Sequence, residues 1–186
     1  AGVVPAAVVG HSQGEIAAAV VAGALSVADG AKVVVSRATA LREVAGSGTM
    51  ASLAETPVAA AARIAGVDGV EIAAVNGPAS VVVAGPVVGV DAVVAAAETD
   101  GRRAKRIPVD YASHTPGMEP LRAAVTGALT DIAPVAPTVP WLSTRDLEWV
   151  DDDRAGAEYW FANLRHPVRF ADAIAALLTE GFDAFV

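Results

Sequence analysis

The sequence has 186 residues, is 54% apolar and carries a formal net charge of −8, so it is long enough to bury a core and too acidic to favour a nucleic-acid partner. It contains no cysteine, which excludes disulfides and thiolate metal sites, and its three histidines lack the HxxxH or HExxH spacing of a metal centre, so none is predicted. No apolar stretch reaches the roughly 20 residues of a membrane helix and the first residues lack a secretory signal, so we expect a soluble, cytoplasmic protein.

The chain opens on a strand, a sharp turn and two helical segments. The apolar run 3–9 predicts the strand, and the Ala-rich stretch 15–22 predicts a helix after the turn. Ser26 and Asp29 form a capping box that begins a second helix, predicted over 27–45. Glycines beyond the end of this helix indicate a hinge.

Short alternating segments follow between residues 50 and 109. The predicted order is strand 50–53, helix 57–65, strands 70–75 and 80–84, helix 87–99 and strand 104–109. This βαββαβ order is that of a ferredoxin-like unit, in which one four-stranded sheet carries two helices on one face. We therefore predict an inserted ferredoxin-like small subdomain over 49–109.

The rest of the chain returns to longer helices. The pattern predicts a helix over 119–132, a strand over 139–143, helices over 157–164 and 170–180, and a final strand over 182–186.

The first turn carries a nucleophile motif, because residues 10–14 read Gly-His-Ser-Gln-Gly and match GxSxG. The two glycines permit a tight strand-to-helix turn that exposes the Ser12 hydroxyl, while the backbone N–H of Gln13 faces a developing oxyanion. The motif lies after a predicted strand and before a predicted helix, which is the context it requires. We therefore predict Ser12 as a nucleophile.

These elements predict an α/β fold. Residues 1–48 and 110–186 form an α/β-hydrolase-like large subdomain with a parallel sheet, interrupted by the small subdomain. A nucleophile-bearing strand is normally central in its sheet and no strand precedes it here, so the chain is expected to be truncated at both ends.

A serine needs a base, and histidine suits that role near neutral pH. His114 follows the last strand of the insert in a loop, where catalytic residues concentrate, and is the predicted base. His11 adjoins the serine and is expected to point away from it. His166 follows a helix among charged residues and is expected to be an exposed loop residue.

Arg37 lies within the apolar stripe of the second helix, and burial of its charge is costly unless it meets an anion. An internal salt bridge or a snorkelling side chain would explain this position. Selection of a carboxylated substrate would explain it equally, because the guanidinium fork binds a carboxylate through two hydrogen bonds.

Together these residues lie in motifs that resemble the acyltransferase domains of modular type I polyketide synthases, relatives of malonyl-CoA:acyl-carrier-protein transacylase. Besides Arg37, the motifs are GHSQGE at 10–15, GTMASL at 48–53, YASH at 111–114 and YWFANLRHPVRF at 159–170. The resemblance extends through the whole chain.

The resemblance implies a ping-pong transfer without a bound cofactor. Ser12 would take an acyl group from an acyl-CoA and pass it to the phosphopantetheine thiol of an acyl carrier protein, with a ketosynthase domain as neighbour in the same polypeptide. His114 would act as base and then acid, oriented by the backbone carbonyl of Asn163, and Arg37 would hold the free carboxylate. The family's second oxyanion donor comes from a segment before the nucleophile strand, which this sequence does not contain.

The resemblance also implies an acyl preference. YASH resembles the methylmalonyl-selecting class, whereas malonyl-selecting relatives commonly carry HAFH. Tyr111, Ser113 and Gln13 are the expected specificity residues, because serine in place of phenylalanine leaves room for a methyl branch. One methylene is worth only about 1 to 3 kcal/mol, so we expect methylmalonyl-CoA to be preferred over malonyl-CoA by a finite factor.

Two other functions remain open at this point. A serine esterase or thioesterase would share GxSxG and expects an acid between serine and histidine, as Asp91, Asp100 or Asp110 would provide. A non-catalytic docking fragment is the second alternative.

A basic cluster near the end of the insert also has two interpretations. It consists of Arg102, Arg103, Lys105 and Arg106. It would bind CoA phosphates or an acidic carrier protein, or would protect an edge strand from pairing with another chain.

Overall fold

The computed structural model describes residues 4–186. Its α-helices are α1 (Gly14–Val21), α2 (Val27–Leu41), α3 (Pro57–Ile64), α4 (Val87–Thr99), α5 (Arg122–Ala128), α6 (Ala157–Arg165) and α7 (Phe170–Thr179). Its strands are β1 (Val8–Val9), β2 (Thr49–Leu53), β3 (Glu71–Gly77), β4 (Ser80–Gly85), β5 (Ala104–Ile107), β6 (Trp141–Leu142) and β7 (Trp149–Val150). Val3, where the first predicted strand begins, lies outside the described residues. No helix in this part of the chain combines the length and the apolar character needed to cross a bilayer.

Strands β2 to β5 form a four-stranded antiparallel sheet in the order β3-β4-β2-β5. With α3 and α4 in the connections, this is the arrangement of a ferredoxin-like unit, so the predicted βαββαβ architecture is confirmed. Alternate strand residues point to one face, and the core under the helices includes Leu53, Val81, Val83, Val90 and Val93. The side chain of Thr56 caps α3 by accepting from the Ala59 N–H at 3.2 Å.

The rest of the described chain surrounds a smaller sheet. Strand β1 pairs in parallel with β6, and β7 adds to β6 in the antiparallel direction. Helices α1, α2, α5 and α6 bury the largest core, in which Trp141 and Trp160 stack with ring centroids 6.2 Å apart. The predicted cap of α2 is confirmed, because Ser26 Oγ accepts from the Asp29 N–H at 3.0 Å.

Two of the predicted elements differ from the structure. In place of one helix over 119–132, a 3-10 segment at Pro116–Leu121 leads into the short α5, and Pro120 lacks the N–H that a helix interior requires. Residues 182–186 form no strand; Phe182 instead packs its ring 6.3 Å from that of Trp149. An extended apolar segment becomes a strand only where a neighbouring strand pairs with its backbone, and no such partner lies beside it within residues 4–186.

Strand β3 of the small sheet contacts the segment between α6 and α7 and the turn that carries Ser12. The segment between α6 and α7 pairs with β3, since the Val168 N–H donates to the Ala73 carbonyl and the Val75 N–H donates to the Val168 carbonyl, both at 2.9 Å. His11 Nε2 lies 2.8 Å from Asn76 Oδ1 on the same strand. These contacts fix the small sheet against the nucleophile turn.

Candidate active site

Ser12 lies in the turn between β1 and α1 with a φ of 54°, a left-handed backbone conformation that is rare for residues other than glycine. A Cβ at Gly10 would lie 2.3 Å from the backbone nitrogen of Glu15, so only glycine fits there. At Gly14 a Cβ would meet nothing within 4 Å. The prediction that both glycines are needed is therefore wrong for Gly14. Backbone atoms crowd the glycine before the serine and leave the one after it open.

The predicted serine and base lie together, with Ser12 Oγ 2.7 Å from His114 Nε2. His114 Nδ1 lies 2.8 Å from the carbonyl oxygen of His166, which only accepts, so Nδ1 carries the proton and Nε2 is free to accept from the serine. Like Ser12, His114 has a positive φ, at 66°. Such strained backbone at both residues is typical of functional sites.

The His114 ring is hydrogen-bonded by the carbonyl of His166, and the carbonyl of Asn163, predicted to orient it, contributes beside it. The nearest carbonyl to Nδ1 is that of His166, and the carbonyl of Asn163 only adds a weaker contribution to the pKa of the imidazole. Helix α6 ends at Arg165, and the last carbonyls of a helix lack intrahelical partners. Two carbonyls here hold the histidine: Leu164 accepts from the His114 N–H at 2.9 Å, and His166 accepts from the ring.

The acids that a hydrolase would require lie elsewhere. Asp91 pairs with Arg106 at 3.2 Å, and Asp100 pairs with Arg63 at 3.0 Å. Asp110 makes no hydrogen bond to His114. The imidazole is thus paired with a neutral carbonyl where a hydrolase triad has a carboxylate.

Burial and, to a smaller extent, the positive charge of Arg37 together lower the pKa of His114 to about 3. The hydrogen bond to the His166 carbonyl opposes this shift. The imidazole is therefore neutral at pH 7, the state in which a general base accepts a proton.

Arg37 reaches the same serine from α2. Its side chain is buried, with Nη1 donating to Asn163 Oδ1 at 2.8 Å and Nη2 donating to Ser12 Oγ at 3.1 Å. No carboxylate within residues 4–186 lies inside 4.0 Å of its guanidinium, so the internal salt bridge considered from the sequence is not made. Burial lowers its pKa to about 10, which still leaves the group charged at pH 7. The site thus contains a buried cation without a directly contacting anion, an arrangement that is costly until an anion arrives.

A cleft of about 340 Å³ opens beside this cation. Besides Gln13, Arg37 and Tyr111, it is lined by Ala38, Leu41, Arg42, Ala45 and Asp110. The backbone N–H of Gln13 donates to no protein acceptor in the described chain, as is usual at a helix start. It is therefore free to donate a hydrogen bond to an oxyanion. Of the predicted specificity residues, Ser113 does not line this cleft; it is buried, and its hydroxyl has no hydrogen-bond partner within residues 4–186.

The other histidines and the basic cluster lie outside this arrangement. His11 points away from the serine, as predicted, and its ring packs edge-on against Phe170 at 5.4 Å. His166 is exposed, as predicted, although its backbone carbonyl serves His114. The basic residues lie exposed on and around the edge strand β5.

One buried acid beneath the nucleophile was not predicted from the sequence. Glu15, the last residue of GHSQGE, is fully buried at the start of α1. Its carboxylate contacts the hydroxyls of Tyr159 and Thr144 and the side-chain amide of Asn163. Burial raises its pKa, and the hydrogen bonds oppose that shift. An acid at the head of an otherwise Ala-rich helix was the available signal.

Comparison with known proteins gives one consistent result. The family model described as acyl transferase domain matches residues 1–186. Erythronolide synthase EryA3 of Saccharopolyspora erythraea is 50% identical over 187 residues, which covers all of this chain and 6% of that protein. Pikromycin polyketide synthase component PikAII of Streptomyces venezuelae is 48% identical over 187 residues, covering all of this chain and 5% of that protein.

Solved structures agree with the sequence comparison. The acyltransferase domain from module 8 of the salinomycin polyketide synthase superposes with a TM-score of 0.94 at 53% identity, over 97% of this chain and 43% of that one. The malonyl CoA-acyl carrier protein transacylase of Coxiella burnetii gives 0.90 at 29% identity, over 97% of this chain and 60% of that one. The chain thus spans less than two thirds of the proteins it matches.

Proposed function

The chain belongs to the acyl transferase domain family, and from this premise we propose that it moves a carboxylated extender unit from CoA to an acyl carrier protein through an ester on Ser12. One observation carries the proposal: Ser12 Oγ lies within hydrogen-bond distance of both a neutral imidazole and a buried guanidinium that contacts no carboxylate of residues 4–186. A nucleophile, its base and a receptor for a negative substrate group therefore meet at one atom.

The first half-reaction follows from these contacts. His114 Nε2 takes the hydroxyl proton as Ser12 Oγ attacks the thioester carbonyl, and the oxyanion faces the free N–H of Gln13. Collapse of this intermediate breaks the carbon–sulfur bond and leaves the acyl group on the serine. The departing CoA thiolate takes the proton from His114.

The second half-reaction reverses the roles. His114 accepts the proton of the phosphopantetheine thiol, whose sulfur attacks the serine ester. The carbon–oxygen bond to Ser12 breaks, and the protonated imidazole returns the proton to the serine oxygen. All proton movements use the side chains already in contact, so the reaction needs no bound cofactor.

Arg37 is proposed to bind the free carboxylate of the extender. Its side chain points at the serine from a buried position, so a carboxylate that it holds lies beside the reacting ester. A guanidinium that contacts only neutral groups gains most from such a substrate.

Methylmalonyl is the proposed extender in preference to malonyl. The supporting features are the YASH tetrapeptide, which resembles that of the methylmalonyl-selecting class, and the positions of Gln13 and Tyr111 in the lining of the cleft. The expected preference is finite, because a methyl group contributes about 1 to 3 kcal/mol of discrimination.

The proposed partners are an acyl carrier protein and a neighbouring ketosynthase domain. The curated relatives named above are polyketide synthases or their components, which are far longer than this chain.

Transfer and hydrolysis are separated by following the acyl group. The full-length protein carrying this sequence is incubated with methylmalonyl-CoA, with and without a phosphopantetheinylated carrier protein, and products are resolved by mass spectrometry. We expect the carrier to be acylated and free methylmalonate to remain a minor product. Release of the free acid at the same rate in both incubations would overturn the proposal in favour of a thioesterase.

A further inference from the structure

Arg37 is held by a neutral amide that joins it to a buried acid. Its Nη1 donates to Asn163 Oδ1 at 2.8 Å, and Asn163 Nδ2 donates to Glu15 Oε2 at 3.1 Å. The side chains of Asn163 and Glu15 are both buried. These three residues come from α2, α6 and α1, so the bridge ties three helices together directly under Ser12.

The orientation of the Asn163 amide is determined by its neighbours. A guanidinium only donates hydrogen bonds, so it requires the amide oxygen. On the other side the amide nitrogen faces Glu15 Oε2 and, at 3.3 Å, the backbone carbonyl oxygen of Ser12. Both are acceptors. If the amide were reversed, its nitrogen would face the donors of Arg37, and its oxygen would face the oxygens of Glu15 and Ser12.

Glu15 is in turn fixed by residues that are not in the cleft. Its carboxylate is reached by the Tyr159 hydroxyl and by Thr144 Oγ1 at 2.8 Å. Tyr159 Oη lies 2.9 Å from Ser143 Oγ, so the carboxylate is anchored to the segment after β6. The bridge therefore rests on a rigid base.

The neutrality of the bridge has an electrostatic consequence. A carboxylate in direct contact with Arg37 would orient it equally well but would also satisfy its charge, and a substrate carboxylate would then have to displace it. An amide oxygen positions the guanidinium while leaving most of its charge unbalanced. The second nitrogen, Nη2, stays directed at Ser12 Oγ.

We propose that Asn163 is a positioning residue that holds Arg37 as an oriented but unneutralised receptor for the substrate carboxylate, with Glu15 anchoring the amide from behind. This inference rests on the proposed function, because it assigns Arg37 the carboxylate of the extender. It adds two residues that act through Arg37 without touching the substrate.

The test replaces the neutral bridge with a charged one of the same shape. Asn163→Asp places a carboxylate against Arg37, and kcat/KM for acylation by methylmalonyl-CoA is compared with that for propionyl-CoA, which differs only by lacking the carboxylate. We expect the ratio of kcat/KM for methylmalonyl-CoA to kcat/KM for propionyl-CoA to fall by about tenfold or more. The new carboxylate pairs with Arg37, and a close charge pair is stronger than a neutral hydrogen bond. An unchanged ratio in the folded variant would overturn the proposal.

A double variant guards against misfolding. In Asn163→Asp the new carboxylate faces the acceptors Glu15 Oε2 and Ser12 O, which is unfavourable. Glu15→Gln in the same chain supplies a donor to the new carboxylate and removes the conflict at position 15, while the one with the Ser12 carbonyl stays. The double variant is expected to unfold at a higher temperature than Asn163→Asp while keeping the low ratio; a ratio restored to the wild-type value would contradict the proposal.

Trp160→Phe is the matched control. It removes the buried hydrogen bond from the Trp160 ring to the Ala155 carbonyl, on the same helix as Asn163 but outside the bridge, so stability should fall while the ratio stays within about twofold of wild type. A fall as large as that of Asn163→Asp would show that any loss of buried structure on this helix has the same effect, and would overturn the assignment. Failure of the proposed function itself looks different: the wild-type protein would then show no preference for the carboxylated thioester, and Arg37→Ala would not change the ratio.

Discussion

Two groups of positive charge in this molecule were both candidates for anion binding, and their surroundings differ completely. Arg37 is buried, and in the described chain its side chain hydrogen-bonds to a serine hydroxyl and an asparagine amide and to no carboxylate. The basic residues around β5 are exposed, and Arg106 already pairs with Asp91. A solvated cation is stable without a ligand, whereas a buried one is not. The surroundings of a charge therefore identify a binding site better than the number of charges does.

The largest effect is expected when Ser12 is displaced from His114 and Arg37. Gly10→Ala forces a Cβ into the backbone of Glu15 and displaces Ser12, so acylation should fall by about 1000-fold or more, approaching the loss on removing a nucleophile. The rate of acyl-enzyme formation, measured by intact mass, checks this. Gly14→Ala is the control and should stay within about twofold of wild type, because its Cβ meets open space. Equal losses in the two variants would contradict this view of the turn.

Removing only the buried charge should have the next largest effect. Arg37→Ala is expected to lower kcat/KM for methylmalonyl-CoA by about 100-fold, since loss of a desolvated charge pair costs several kcal/mol. With propionyl-CoA the loss should be below about fivefold, because that substrate presents no carboxylate. Steady-state kinetics with both thioesters measure the difference, and equal losses would assign Arg37 a purely structural role.

The buried charge of Arg37 should also affect how the rate of acylation depends on pH, whereas the exposed charges around β5 should not. Arg37 lowers the pKa of His114, so Arg37→Ala should raise that pKa and move the acid limb of the rate of acylation by propionyl-CoA to higher pH. Because the pKa of His114 is lowered to about 3, the wild-type limb should lie near pH 3 and the rate should be flat from about pH 5 to 8. Lys105→Ala should leave the limb in place, because that side chain is exposed. A limb that does not move in Arg37→Ala would contradict the coupling.

The same pKa predicts how stability depends on pH. Because the pKa of His114 in the folded state lies below the unfolded value of about 6.5, its contribution to stability is complete above pH 6.5 and is lost as the pH falls toward 3. The melting temperature of His114→Gln should therefore fall less than that of the wild type between pH 6.5 and 4.

The smallest effect is expected at the exposed cluster. Arg103→Ala with Lys105→Ala should change kcat/KM for methylmalonyl-CoA by no more than about twofold at physiological salt, because exposed charges are screened. A loss comparable to that of Arg37→Ala would reverse the comparison and make β5 part of the binding site.

The sequence was sufficient for features encoded locally. The capping box at Ser26, the GxSxG turn and the alternation of the small sheet depend on neighbouring residues, and the structure has them where the patterns predicted. Arg37 was also recognisable, because a charge on an apolar stripe conflicts with its own helix.

Three features that depend on contacts between distant segments were not predicted by local patterns. The carbonyl that orients His114 belongs to His166 because α6 ends at Arg165, and a helix end cannot be read from sequence to a single residue. The bridge from Glu15 through Asn163 joins residues 148 positions apart, which no local pattern reports. Residues 182–186 have strand character but lack a pairing partner in the described chain.

The most direct test locates the acyl group and its dependence on the substrate carboxylate together. The full-length protein carrying this sequence is exposed to equal concentrations of methylmalonyl-CoA and propionyl-CoA, digested, and analysed by peptide mass spectrometry. We predict a methylmalonyl ester on Ser12 in large excess over the propionyl ester, and neither adduct in Ser12→Ala. An adduct on another residue, or equal amounts of the two esters on Ser12, would contradict the account.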